Sequence, residues 1–227
     1  MNELILIDCM KFMGTLPDDY FDLAIVDPPY GIGDFNNKKT KKKKHNKEYK
    51  INWNRSAPNE QYFNELKRIS KNHIIFGFQF YMKYLWDELN GVIIHDFGST
   101  GGFGSDCDLA ITNLQQRVIY FKYRWQGFIR ENKEDTDKNR IHPCEKPTAL
   151  YKWLLKNYAK PGDKLFDSHS GSGSFRIAAH DMGFDLTSCE IDEDYYRDNE
   201  KRFQNHIKQN DLFAPEELQE SMLQMDL

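Results

Sequence analysis

The stretch "LAIVDPPYGIG" at residues 23–33 runs an apolar strand straight into an acid, two prolines and a tyrosine. Proline has no N–H to give a sheet ladder, so the strand must end there. Asp27, Pro28, Pro29 and Tyr30 are thereby left in a stiff, extended loop at the carboxyl end of the strand, which is where open α/β sheets bind ligands. A carboxylate beside a rigid backbone carbonyl (Pro28) offers two acceptors pointing the same way. An exocyclic aryl amine has two N–H bonds and a lone pair delocalised into its ring. Accepting both hydrogens localises that pair and stabilises the positive charge that develops as the nitrogen attacks an electrophile. Tyr30 supplies a face on which a base can stack. Taken alone, the motif also fits a plain strand-ending Pro-Pro turn.

A second group of residues changes that balance. In "FDSHSGSGSF" (166–175) a strand ends at Asp167, a glycine-rich turn follows and a helix begins. Gly171 and Gly173 allow a ligand close to the backbone. Glu190, nineteen residues beyond Gly171, ends the next strand, where an acid can accept hydrogen bonds from ribose hydroxyls. The arrangement reads as a nucleoside-binding half-sheet. A dinucleotide fingerprint would need glycine at 176, which is Arg176, so the nicotinamide reading fails.

These residues need a sheet to hold them. Strands are expected at "ELILID", "DLAIVD", "HIIFGF", "KLFDS" and "LTSCEI", and helices at "CMKFMGTL", "NEQYFNELKRIS", "SFRIAAHDMG" and "DEDYYRDNEKRFQNHIKQ". Such alternation signals a mostly parallel sheet. "VIIHDF", "CDLAITN" and "RVIYFKYRW" follow one another with no helix between them, which suggests an antiparallel edge. "PTALYKWLLKNYA" places Pro147 in the first helical turn, with Leu150, Trp153, Leu154 and Tyr158 at helical spacing. A short helix is expected near Pro215.

The chain resembles amino-group DNA methyltransferases that use S-adenosylmethionine, in the permuted order called the β class. "DPPY" resembles their catalytic motif, "FDSHSGSGSF" their cofactor loop, and "HPCEKP" (142–147) the segment before the first cofactor helix. The resemblance implies an α/β fold: a mixed, mostly parallel, seven-stranded-type Rossmann-like methyltransferase sheet with an antiparallel edge hairpin and helices on both faces. It implies that Asp27, Pro28, Pro29 and Tyr30 hold and stack the target base. The cofactor S-adenosyl-L-methionine is expected against Asp27, Asp167, Ser168, His169, Gly171, Gly173, Ser174, Glu190 and Ile191. Lys146, with His142 beside it, is expected near its methionyl part and Asp8 near its adenine. The departures from the pattern are Ser168-His169, where the family often has Pro-Phe, and Gln79 in "FGFQFY", where it often has Asn.

With 227 residues the chain is read as one methyltransferase domain, 1–227. Its expected parts are a catalytic half (1–121) with a basic loop (34–58), a short target-recognition insert (122–140), a cofactor-binding half (141–209) and a tail (210–227). The run "KKTKKKKHNKEYK" (38–50) carries eight lysines against one glutamate, +7, so the rest of the chain sums to −11 behind a net charge of −4. A run so dense in like charge is expected to be a mobile loop. Beside DPPY, its Lys39, Lys41, Lys42, Lys43 and Lys44 can clamp the phosphates of double-stranded DNA. Arg124, Trp125, Arg130 and Arg140 in the insert, with Phe128, suit base edges and stacking.

The four cysteines, at 9, 107, 144 and 189, fall at no metal-ligand spacing. No metal site and no membrane span are expected, and the protein is expected to be cytoplasmic. A homodimer is common in the resembled family and is left open. The leading Asp27 favours adenine N6 as the methylated atom. Cytosine N4, an RNA or protein substrate, and a relative that binds without turnover are the alternatives. Small Lys/Asn-rich chains of this kind resemble phage or mobile-element versions, with or without a restriction partner.

Overall fold

The computed structural model describes residues 1–33, 56–88, 90–98, 105–126, 129–131, 141 and 144–212. The lysine run, Arg140, Phe128, His142 and the helix expected near Pro215 lie outside these residues.

Eight strands form the main sheet: β1 (Asn2–Leu6), β2 (Phe21–Val26), β3 (Ser70–Phe76), β4 (Gly91–Asp96), β5 (Cys107–Thr112), β6 (Val118–Lys122), β9 (Lys164–Asp167) and β10 (Asp185–Glu190). Their spatial order is β1-β10-β9-β2-β3-β5-β4-β6. A separate two-stranded ribbon pairs β7 (Trp125–Gln126) with β8 (Ile129–Arg130). The first five strands in spatial order are parallel; β5 runs antiparallel to both neighbours, and β6 is parallel to β4. The sheet is therefore the expected mixed, mostly parallel one, enlarged from seven strands to eight. The antiparallel strand lies inside that end of the sheet, and β6 forms the edge.

The helices are α1 (Cys9–Met13), α2 (Glu60–Ile69), α3 (Met82–Leu85), α4 (Thr148–Tyr158), α5 (Ser174–Asp181) and α6 (Glu193–Leu212). Pro147 caps α4 from outside, and the helix begins at Thr148. Alternate residues of β2 feed two cores. Leu23 and Ile25 pack with Leu150, Leu154, Leu155 and Ala178 of α4 and α5, whereas Ala24 and Val26 pack with Met13, Phe63 and Leu66 of α1 and α2. A strand buried on both faces reads as a continuous apolar run, and "FDLAIV" does so apart from Asp22. The turns of 3₁₀-helix at Phe78–Phe80 and Trp86–Glu88, which flank α3, were not foreseen. "FQFYMKYLW" is aromatic at nearly every second position and carries no clean period.

Connectivity decides where the site lies. From β9 the chain passes through α5 to β10 on one side; from β2 it passes through α2 to β3 on the other. Adjacent parallel strands whose connections leave in opposite directions make a crevice at their carboxyl ends. Asp27, Asp167 and Glu190 stand at those ends.

Candidate active site

Burial forces Asp27 to find partners, and it has two. Tyr30 Oη donates to Oδ1 at 2.7 Å, and Lys146 Nζ lies 2.7 Å from Oδ2. Lys146, its side chain 5% exposed, also faces Asp108 Oδ2 at 3.2 Å and sits over the Phe76 ring, 4.7 Å from the centroid. Burial raises the Asp27 carboxyl above its ordinary value; Lys146 opposes this and Asp108 reinforces it. Burial works against the Lys146 charge, but Asp108 and Asp27 outweigh it, so the ammonium is held above its ordinary value. Asp108 acts on both in the same direction: its negative charge favours the proton on Asp27 and on Lys146.

The backbone after Asp27 is pinned from the far side. The hydroxyl of fully buried Tyr81, just ahead of α3, points at the Pro28 and Pro29 carbonyls, 2.6 and 2.7 Å away. Gly77 is left-handed (φ 73°), and a Cβ there would run into the Tyr30 ring. The ring's stacking neighbour is Phe80, 4.8 Å away and 18° from parallel, itself 40% exposed. Acceptor capacity remains at the motif, because each carboxylate and carbonyl oxygen has two lone pairs.

The glycine loop is fastened by α6. Asn199, wholly buried, donates from Nδ2 to Ser170 Oγ (2.9 Å) and the Gly171 carbonyl (3.2 Å). A Cβ at left-handed Gly173 would collide with the same Asn199 amide. Arg202, one turn on, donates to the Ser172 carbonyl (2.9 Å) and Ser174 Oγ (3.1 Å), and its other nitrogen lies 3.5 Å from Glu145. Glu190 accepts from the N–H groups of Gly171, Ile191 and Asp192, each at 2.9 Å.

A chain of hydrogen bonds underlies the loop. Tyr62 Oη and Ser168 Oγ are 2.6 Å apart, and Ser168 Oγ is 2.8 Å from His169 Nδ1. Burial pushes the His169 imidazole down to about 4 against the pull of Asp8, so it is neutral. The Tyr62 phenol is buried with Ser168 as its partner. Satisfying its proton makes Tyr62 the donor to Ser168 and Ser168 the donor to Nδ1, which leaves the His169 proton on Nε2. Burial also raises the Asp167 carboxyl to about 8; the His169 N–H opposes the shift, and Asp27 and Glu190 add to it.

A cavity of about 300 Å³ joins the two halves. Asp27, Pro28, Pro29, Tyr30 and Lys146 line one end, and His169, Gly171, Ser174, Glu190 and Ile191 the other. Gly173, Asp167 and Ser168 stand behind this wall. Asp8 lies two residues past β1 and caps α1, accepting from the N–H groups of Met10 and Lys11, and does not line the cavity. Gln79 is exposed and away from it. Of the residues expected at DNA, Arg124 is exposed, and the Arg130 backbone pairs with Trp125 in the ribbon. Trp125 Nε1 donates to the Glu145 carbonyl at 2.6 Å, tying that ribbon to the residue before Lys146.

Asp108, Tyr81, Gly77, Asn199 and Arg202 were not anticipated. An acid inside the apolar run "CDLAIT" was a usable signal for Asp108. Asn199 and Arg202 share a helix face but match no motif. Among the described residues no group of three or more His, Cys, Asp or Glu could hold a metal, and no helix is long and apolar enough to cross a membrane.

Residues 111–201 match a family model described as DNA methylase, of the N6/N4 methyltransferase type. YubD of Escherichia coli K12, named for a conjectured methylase role, is 25% identical over 239 residues, covering 95% of this chain and 99% of YubD. The solved complex of M1.HpyAVI with S-adenosylmethionine superposes with a TM-score of 0.57 at 16% identity, over 89% of this chain and all of that one. The cytosine-N4-specific PvuII DNA methyltransferase gives 0.59 at 12% identity, over 88% and 85%. At these identities the two structural likenesses concern the fold.

Proposed function

We propose that this chain transfers a methyl group from S-adenosylmethionine to the N6 amine of adenine in double-stranded DNA. The family match and the relatives support the coarser part of that reading, a DNA methyltransferase of the N6/N4 type. One observation carries the chemistry: the Asp27 carboxylate and the DPPY backbone open on the same cavity as the glycine loop.

The residues fit the cofactor. A volume of about 300 Å³ is at the lower bound for a small-molecule site. The loop is bare where Gly171 lines the cavity, and Glu190 keeps lone pairs for ribose hydroxyls. When bound, S-adenosylmethionine supplies an electrophilic methyl group on a sulfonium.

The chain's own residues supply the rest. Asp27 and the Pro28 carbonyl accept the two amine hydrogens, localising the nitrogen lone pair. The buried carboxylate then stabilises the positive charge that grows on nitrogen, in a site where water competes little. Tyr30 orients Asp27 through its hydroxyl, and Tyr81 orients the Pro28 carbonyl. The target base must leave the duplex stack, which costs a few kcal/mol. It then meets the Tyr30 ring, where Phe80 is the side chain that has to move or extend the stack. Lysines 38–50 are assigned to the phosphate backbone and Arg124 to the duplex beside the ribbon.

The leading Asp27 supports adenine. Cytosine N4 is the second reading, because the matched family model covers both amines. Incubation with S-adenosylmethionine and unmethylated duplex DNA, digestion to nucleosides and mass spectrometry separates them. N6-methyladenine, absent with Asp27→Ala, is the expected product. N4-methylcytosine would keep the mechanism and overturn the base, and no product on any DNA would overturn the reading.

A further inference from the structure

Lys146 needs one carboxylate for neutrality and faces two. Asp27 Oδ2 lies at 2.7 Å and Asp108 Oδ2 at 3.2 Å from its nitrogen. The side chains of Lys146, Asp27 and Asp108 are 5%, 17% and 21% exposed, so the cluster carries a net charge of −1 with little water around it. Among the described residues, its neighbours do not offset that charge. His95, the cross-strand partner of Asp108, and His169 are both pushed down to about 4 by burial and are neutral. Asp167 holds its proton near neutrality. The cation nearest the loop, Arg202, already faces Glu145. A buried excess charge is costly unless something in the site balances it.

The reaction proposed above changes the charge of the molecule in the cavity. In S-adenosylmethionine the amino and carboxylate groups cancel and the sulfonium leaves +1. When the methyl group departs, the electron pair of the C–S bond stays on sulfur, and the thioether product, S-adenosylhomocysteine, is neutral. We propose that Asp108 is a specificity-determining residue that makes the cavity prefer the positively charged methyl donor over its neutral product. The second carboxylate holds the site one charge short until a sulfonium enters, and the attraction vanishes once the methyl is transferred, which favours product release. Asp108 lies behind Lys146 and does not line the cavity, so it acts through the field and through the position of Lys146. This inference rests on the methyltransferase reading.

The test is calorimetric binding of three ligands to the full chain: S-adenosylmethionine, S-adenosylhomocysteine, and sinefungin, which carries a protonated amine where the methyl sulfonium stands. Asp108→Asn should weaken both cationic ligands by about tenfold, the scale of one charge acting across a partly screened site. S-adenosylhomocysteine should change less than about twofold. Asp108→Glu keeps the charge and should keep the wild-type preference. Equal changes for all three ligands, or none, would overturn the inference and leave the cofactor assignment standing. If the wild type bound none of the three, the cofactor assignment itself would fail, and the inference with it.

Discussion

Replacing Lys146 with methionine keeps most of the volume and removes the charge that holds Asp27 ionised. Nζ is 2.7 Å from Asp27 and nearly inaccessible, so the variant strands a carboxylate in a dry site. Breaking one side of a buried pair costs about 3–5 kcal/mol. Burial already raises Asp27 above its ordinary value of 3.8 and Lys146 opposes that rise, so without the ammonium the carboxyl is raised further and keeps its proton to higher pH. Two consequences follow. Methyl transfer in a single turnover at pH 7 should fall by about 10²–10³, the scale of losing a charge-stabilising group, and recover in part as the pH rises. Stability should move the other way. A carboxyl whose folded pKa is raised keeps a proton the unfolded chain has already lost, so its favourable contribution is present below pH 3.8 and is lost as pH rises through the folded value. The deficit against wild type should be small at pH 5 and reach about 3–5 kcal/mol at pH 9, a lowering of Tm by about 6–20 °C. Thermal melts across that range measure it. The double variant Lys146→Met/Asp27→Asn should regain most of the stability and none of the activity. A deficit that does not change with pH, or a double variant no better than Lys146→Met, would refute the buried-pair account.

Three further outcomes are expected. Gly77→Ala forces a side chain into a left-handed residue and into the Tyr30 ring. Strain of about 1–2 kcal/mol and overpacking of about 1–3 should lower stability by about 2–5 kcal/mol in denaturant; methyl transfer should collapse while cofactor binding, measured by calorimetry, survives. Tyr62→Phe removes the donor that orients Ser168 and His169, and should cost about 1–3 kcal/mol together with a measurable loss of cofactor affinity; unchanged affinity would mean the chain of hydrogen bonds is idle. Asp167, raised to about 8 by burial, holds a proton that the unfolded chain releases near its ordinary 3.8. Wild-type stability should therefore fall as pH rises between those values, and denaturant titrations of Asp167→Asn should show a flatter slope.

Local chemistry was legible in the chain itself. Proline ends a strand wherever it stands, glycine allows a left-handed turn, and apolar runs bounded by such residues announce a parallel sheet. DPPY, the glycine loop and Glu190 could therefore be assigned to strand ends, and the parallel α/β sheet expected on these grounds is the one observed. Pairing across the chain was not legible. Asp108 meets Lys146 only because β5 reverses direction and inserts between β3 and β4, which brings a residue 38 positions away within 3.2 Å. Gly77 reads as an ordinary strand-ending glycine until Tyr30, 47 positions earlier, lies against it. Asn199 and Arg202 look like polar positions of a charged helix until α6 packs over the glycine loop. Each of these contacts depends on a distance in space, and residue spacing along the chain carries information only over a turn or two of helix or along one strand. Residue types and order determined which groups could hold an amine and a nucleoside. Tertiary packing decided which of them are buried together, and burial is what sets their charges.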